Sequence, residues 1–108
     1  MSAPLPAPLR PLPGHSRGDG VAAAEARLRS AGVEPLRWSN GPGDRYAAHE
    51  HGFTKLLVCA EGSISFFVGP DEIPVELRPG DGFELPPRTR HAAEVGPSGC
   101  TCVEGHRP

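Results

Sequence analysis

The chain has 108 residues, 11 Lys+Arg against 13 Asp+Glu, and a formal net charge of −2. That length holds one domain of ordinary size, and no basic excess exists to neutralise a phosphate backbone, so nucleic acid is not an expected partner. Apolar runs such as Leu56 to Ala60 are too short to span a bilayer or to form a signal-peptide core, so a cytoplasmic protein without membrane attachment is expected.

Residues 1–20 contain five prolines with short apolar residues between them. No helical or strand period develops there, so this stretch reads as a flexible Pro-rich arm. Residues 21–108 read as the single domain. The alanine-rich run from Val21 to Ala31 predicts one short helix, with Asp19 placed to cap its start and Gly32 to end it. Beyond Asn40 to Gly43 the texture changes to runs of four to seven residues bounded by turn chemistry, which predicts an all-β barrel over about 36–106. Strands are expected near Tyr46 to His51, Lys55 to Ala60, Ser63 to Val68, Ile73 to Leu77, Gly82 to Leu85, His91 to Val95 and Cys100 to Glu104. Glu61-Gly62 and Gly96 to Gly99 are expected as turns. So small a barrel buries only about 60% of its unfolded surface, and a homodimer would supply further burial.

Cys59, Cys100 and Cys102 make an odd count without an export signal, so buried free thiols are expected in place of a disulfide framework. The Cys100-x-Cys102 spacing puts both thiols on one strand face, where core packing competes with a metal or redox role.

Of the five histidines, His15 lies in the arm and His106 near the end of the chain. His49 and His51 are separated by one residue, so on a strand they share a face with Cα atoms about 6.5 Å apart, within reach of one ion. That pair alone is weak evidence, because surface strands carry it without a ligand. The residues around it form a longer pattern. Gly43, His49, His51 and Gly62 fall on G-x5-H-x-H-x3,4-E-x6-G, and Gly80, Pro86 and His91 fall on G-x5-P-x-G-x2-H-x3-N.

These two linked motifs, over roughly Gly43 to Val95, resemble those of the cupin superfamily. The resemblance implies a double-stranded β-helix, a small jelly-roll barrel, holding a divalent metal (Zn, Fe, Ni, Cu or Mn) on His49, His51, a carboxylate and His91. The sequence departs from the motifs at three places. Lys55 stands where they have Glu, Arg88 where they have the Gly of Pro-x-Gly, and Val95 where they have Asn.

A straight strand would carry Lys55 about 13 Å beyond His51, whereas the family's turn at Gly52-Phe53-Thr54 returns it to the site. A protonated lysine cannot ligate and repels a divalent ion, so the expected centre is a tri-His site of reduced affinity with open positions. Lys55 is then the candidate catalytic residue, as electrostatic partner or proton carrier, and the charge would favour an anionic ligand. The competing reading sends Lys55 to the mouth of the barrel, into water. Lys55→Glu is expected to tighten metal binding. A metal-free polar pocket and an inert barrel stay open as alternatives.

Other residues carry weaker expectations. Arg88 and Arg90 either clamp a substrate carboxylate at the rim or are merely solvated. Glu50 and Glu94 alternate away from the histidines, and Glu84 is expected to face solvent. Phe53, Leu57, Phe67, Val75, Leu77, Phe83 and Leu85 are the expected apolar lining, with Trp38 and Tyr46 either at the entrance or in the core. Two functions fit these expectations. One is a metalloenzyme performing oxygenase, isomerase or lyase chemistry on a small organic molecule; the other is a non-catalytic module that binds or senses a small ligand. No helix-turn-helix follows the barrel up to Pro108, so the fused DNA-binding regulators that contain this barrel are not the expected architecture.

Overall fold

The computed structural model describes residues 5–16 and 20–108. It contains one helix, α1 (Gly20–Ser30), and six strands: β1 (Leu36–Asn40), β2 (Arg45–His49), β3 (Thr54–Val68), β4 (Ile73–Leu77), β5 (Gly82–Leu85) and β6 (His91–Arg107). The expected all-β double-stranded β-helix is the architecture found.

Two long antiparallel strands organise it. β3 and β6 pair along nearly their whole length, from Thr54↔Arg107 to Val68↔His91. β6 carries β1 beside its second half and β2 beside its first, while β3 carries β5 beside its first half and β4 beside its second. Each long strand therefore belongs to two sheets and crosses between them at a bend. The bends lie at Gly62 and Gly99, both with positive φ, and the register slips between Cys59 and Glu61 and again between Gly62 and Ile64. Glu61-Gly62 and Gly96 to Gly99 are thus interruptions inside continuous strands, where the sequence predicts turns. β1 is a strand the turn spacing did not predict.

A bulge has a further consequence. Side chains alternate with period two, so one inserted residue exchanges the inward and outward sets. Leu57 and Cys59 face the interior before the bend on β3, and Ile64, Phe66 and Val68 face it afterwards. Along β6 the interior set is likewise Ala93 and Val95, then Cys100 and Cys102. Both sheets contribute to this one cluster, and the Phe66 and Phe83 rings meet edge to face with centroids 5.1 Å apart. All three cysteines are buried and free, with Cys100 and Cys102 Sγ 4.0 Å apart inside this apolar cluster.

The outer face of β3 is buried as well. Leu56, Val58 and Ala60 pack with Val103 against Ala24 and Leu28 of α1, closed by Leu12 and Val33. The helix ends as expected at Gly32, whose φ is +89°. Asp19, its expected cap, lies outside the described residues.

Residues 5–16, part of the stretch read as a Pro-rich arm, lie against the barrel. Arg10 and Glu84 exchange backbone hydrogen bonds at 3.0 and 2.8 Å, which lays this segment on the edge of β5. Leu9 then enters the interior cluster and Leu12 the outer one. The Arg27 guanidinium fastens the segment to the barrel by donating to the Leu12, Pro13 and Gly80 carbonyls at 2.8, 3.0 and 2.9 Å. The prolines suppress regular structure in this strap without preventing its apolar residues from docking.

Candidate functional site

Three elements bring three imidazoles together. His49 ends β2 and His91 begins β6, and the two are direct partners in the antiparallel ladder. A bulge between Tyr46 and His49 lets both residues face the same cavity despite their odd separation. His51 follows in the loop after β2, where its carbonyl accepts a 2.7 Å hydrogen bond from the Arg88 backbone N–H. Ring centroids lie 4.4 Å (His49–His91), 4.7 Å (His49–His51) and 5.0 Å (His51–His91) apart, and the candidate ligand nitrogens all fall within 4.8 Å of one another.

The ring orientations suit lone pairs pointing at a common centre. His91 Nδ1 donates to the Thr89 carbonyl at 2.9 Å and His49 Nδ1 to the Ala47 carbonyl at 2.7 Å. A proton held at Nδ1 leaves the lone pair on Nε2. His91 Nε2 is buried without a partner, and so is His51 Nδ1. Two orphaned buried nitrogens within a few ångströms of each other call for a ligand, because unpaired buried polar atoms are costly. Burial also outweighs the Thr89 carbonyl and pushes His91 down to about 4. Burial, then the Lys55 and His49 charges, lower His51. Neutral imidazoles are the form that binds a metal ion.

Lys55 returns to this cavity as the family turn implies. It is the first interior residue of β3, sharing a face with Leu57 and Cys59, and is only 8% exposed. The reading that sends it to the mouth and into water is therefore overturned. Its Nζ lies 3.3 Å from Glu104 Oε1, a residue that sequence reasoning missed. Glu104 Oε1 also accepts from Trp38 Nε1 at 2.7 Å, and Oε2 is bonded to His106 Nε2. Burial opposes the carboxylate charge, but Lys55, His106 and Trp38 together hold Glu104 below the usual carboxylate range. A signal for Glu104 was present: it alternates with Cys100 and Cys102 on the inward face of β6, and a buried lysine demands an acidic partner. His106, near the end of the chain, extends the network, with its ring stacked on Phe53 at 4.2 Å and Phe53 stacked on His51 at 4.7 Å.

The cavity encloses about 220 Å³ between Trp38, Tyr46, His49, Lys55, Ile64, Phe66, His91, Ala93 and Glu104. None of the seven expected apolar lining residues borders it. Leu57, Val75, Leu77, Phe83 and Leu85 fill the solid core, Phe67 lies on the other face of β3 from Phe66 after the bulge, and Phe53 is stacked between two histidines. Arg88 and Arg90 are exposed and line no part of the cavity. Glu94 faces outward as expected, paired with Arg45 at 2.8 Å. Glu84 does not face open solvent: it is half-buried and paired with Arg107.

No helix among the described residues is long and apolar enough to cross a membrane. Comparison with solved structures finds barrels of the same kind. A RmlC-like cupin from Shewanella frigidimarina is 24% identical with a TM-score of 0.62, over 70% of this chain and 66% of its own. A conserved protein with a double-stranded β-helix domain from Klebsiella pneumoniae is 25% identical with a TM-score of 0.61, over 68% and 65%. A cupin superfamily protein from Desulfitobacterium hafniense is 19% identical with a TM-score of 0.58, over 67% and 63%. The chain thus spans slightly less than two thirds of the length of these relatives. Comparison with curated proteins found no match. Residues 30–103 match the family described as the AraC-like ligand binding domain, which covers most of the barrel and both histidine-bearing motifs. The chain belongs to this family of cupin-type ligand-binding domains.

Proposed function

We propose that this barrel binds a divalent metal ion through His49, His51 and His91 and presents it to a small organic molecule as a metal-dependent enzyme. The observation that carries this reading is the pair of buried, partnerless nitrogens, His91 Nε2 and His51 Nδ1. Three neutral nitrogens with open positions beside them form the donor set of a catalytic site, where a structural site would be closed by a fourth protein ligand. When bound, the ion supplies Lewis-acid polarisation of a substrate oxygen or a reactive water.

The chain's own residues do the remaining work. The Thr89 and Ala47 carbonyls hold two of the imidazoles in the tautomer that leaves Nε2 free. Trp38, Tyr46 and Phe66 exclude water around the small ligand, and Lys55 supplies the positive charge that faces it. The reading includes a cytoplasmic homodimer, for which Leu36, 60% exposed on β1, offers apolar surface.

Elemental analysis of untagged protein purified without chelator tests this. About one equivalent of metal is expected, reduced at least tenfold in His49→Ala and His91→Ala with the fold retained by circular dichroism. Metal binding undiminished in His91→Ala would sink the assignment. The family match favours a second reading, a binding or sensing module without turnover. Ligand-induced thermal stabilisation that survives complete metal removal would select that module.

A further inference from the structure

The Lys55–Glu104 pair has spent its hydrogen-bonding capacity unequally. Around the Glu104 carboxylate stand Trp38 Nε1, His106 Nε2 and Lys55 Nζ, so its acceptor sites facing the protein are largely used. The Lys55 ammonium carries three donors, and among the described residues its polar partner is Glu104 alone. The Phe66 ring, with its centroid 6.0 Å from Nζ, is its other neighbour. A side chain with only 11% of its surface exposed thus retains unspent donors at the cavity it lines. Such a group gains most from an arriving acceptor, above all a charged one.

The rest of the cavity narrows the class. At about 220 Å³ it falls below the roughly 300–1,000 Å³ of pockets for drug-sized ligands. Its apolar wall is made by the rings of Trp38, Tyr46 and Phe66 with Ile64 and Ala93, surfaces that suit a flat apolar body. Among the described residues, Lys55 is the one cation of its lining. One ammonium matches one carboxylate, whereas a phosphate dianion would need the further cations or backbone N–H groups that phosphate sites assemble.

We propose that Lys55 is the specificity-determining residue of this cavity, recognising the carboxylate of a small, flat organic acid, and that Glu104 is the internal counter-ion with which that carboxylate competes. The lysine subsite needs no metal to form. That the same acid is also the ligand of the metal centre rests on the tri-histidine reading above.

Calorimetric titration of the full chain at pH 7 with benzoate, and with its neutral isostere benzamide, tests the assignment both in chelator and after loading with zinc. Benzoate should bind at least tenfold more tightly than benzamide in either state. In chelator, Lys55→Met should erase that ratio, while Glu104→Gln, which removes the competing carboxylate, should tighten benzoate at least threefold and leave benzamide within twofold. A pair that merely packs the core would weaken both probes in both variants. The double variant Lys55→Met/Glu104→Gln keeps shape without a buried charge, which guards against misfolding, and should show no preference. Benzoate that binds no better than benzamide to the native chain, or a preference that survives in the double variant in chelator, would overturn the proposal. Zinc stoichiometry in the same samples separates the two readings: absent zinc with the benzoate preference intact sinks the metal centre alone, and one equivalent of zinc without that preference sinks the lysine assignment alone.

Discussion

The Arg88 backbone N–H donates to the His51 carbonyl across 2.7 Å, and it does so from a backbone with φ of +59°. Arg88 occupies the Gly position of the second cupin motif, so this chain keeps the left-handed turn that positions His51 without the residue that adopts it most readily. A side chain in that region costs about 1–2 kcal/mol, while glycine loses about 0.4–1 kcal/mol through unfolded-state freedom. Arg88→Gly is therefore expected to stabilise the fold by about 0.5–1 kcal/mol, read as a higher urea midpoint, with zinc affinity unchanged. A lower midpoint would show that the guanidinium contributes more than the turn strain.

The buried histidine makes the metal-free protein acid-sensitive. His91 is held at about 4 in the folded state against about 6.5 in an unfolded chain. Between those values the unfolded chain binds the extra proton, so stability is complete above pH 6.5 and declines as pH falls toward 4. His51 shifts in the same direction. Urea unfolding in chelator should lose on the order of 2–3 kcal/mol between pH 7 and 4.5, and His91→Gln should flatten the profile across that window. A His91→Gln profile as steep as that of the native chain would contradict the assignment.

The barrel was legible because turn residues punctuate it at short intervals and two histidine motifs stand at fixed spacing. What the spacing did not reveal is that two apparent turns lie within single strands. A turn and a bulge use the same residues, and only the partner strand distinguishes them. That ambiguity leaves the parity of Ser63 to Val68 open, and it is Phe66, not Phe67, that faces inside. Glu104 was missed because its inward side follows from the burial of Cys100 and Cys102, which the pairing with β3 fixes. The docking of Leu9 and Leu12 was hidden because it depends on the free edge of β5, and no local period in a proline-rich segment reports on a distant edge.

Gly62 carries the bend of β3 with φ of +70°, and a Cβ there would collide with the Gly99 carbonyl. The atoms it would meet, in Gly99 and Cys100, are all backbone, so no rotamer change relieves the collision. Gly62→Ala is expected to destabilise the fold by about 3 kcal/mol, as a strained φ combined with a forced main-chain shift. At an unstrained, open position the same substitution would stabilise slightly. A loss below 1 kcal/mol in chemical denaturation would mean that the β3–β6 register relaxes easily at the bend.

Restoring the family's carboxylate is less simple than the motif suggests. With Lys55 alone considered, Lys55→Glu exchanges a repelling cation for a ligand and should tighten metal binding. The structure places Glu104 3.3 Å from the ammonium, so the single change buries two carboxylates together and leaves Glu104 without its principal countercharge. Breaking a buried pair costs about 3–5 kcal/mol, and the metal-free single variant should lose about that much. Lys55→Glu/Glu104→Gln avoids the repulsion, keeps the acceptor for Trp38 Nε1, and leaves one carboxylate beside three imidazoles. This double variant should recover most of the stability in chelator and bind zinc at least tenfold more tightly than the native chain by competition with a chromogenic chelator. Zinc affinity equal to native in a well-folded double variant would place the side chain at position 55 out of reach of the metal.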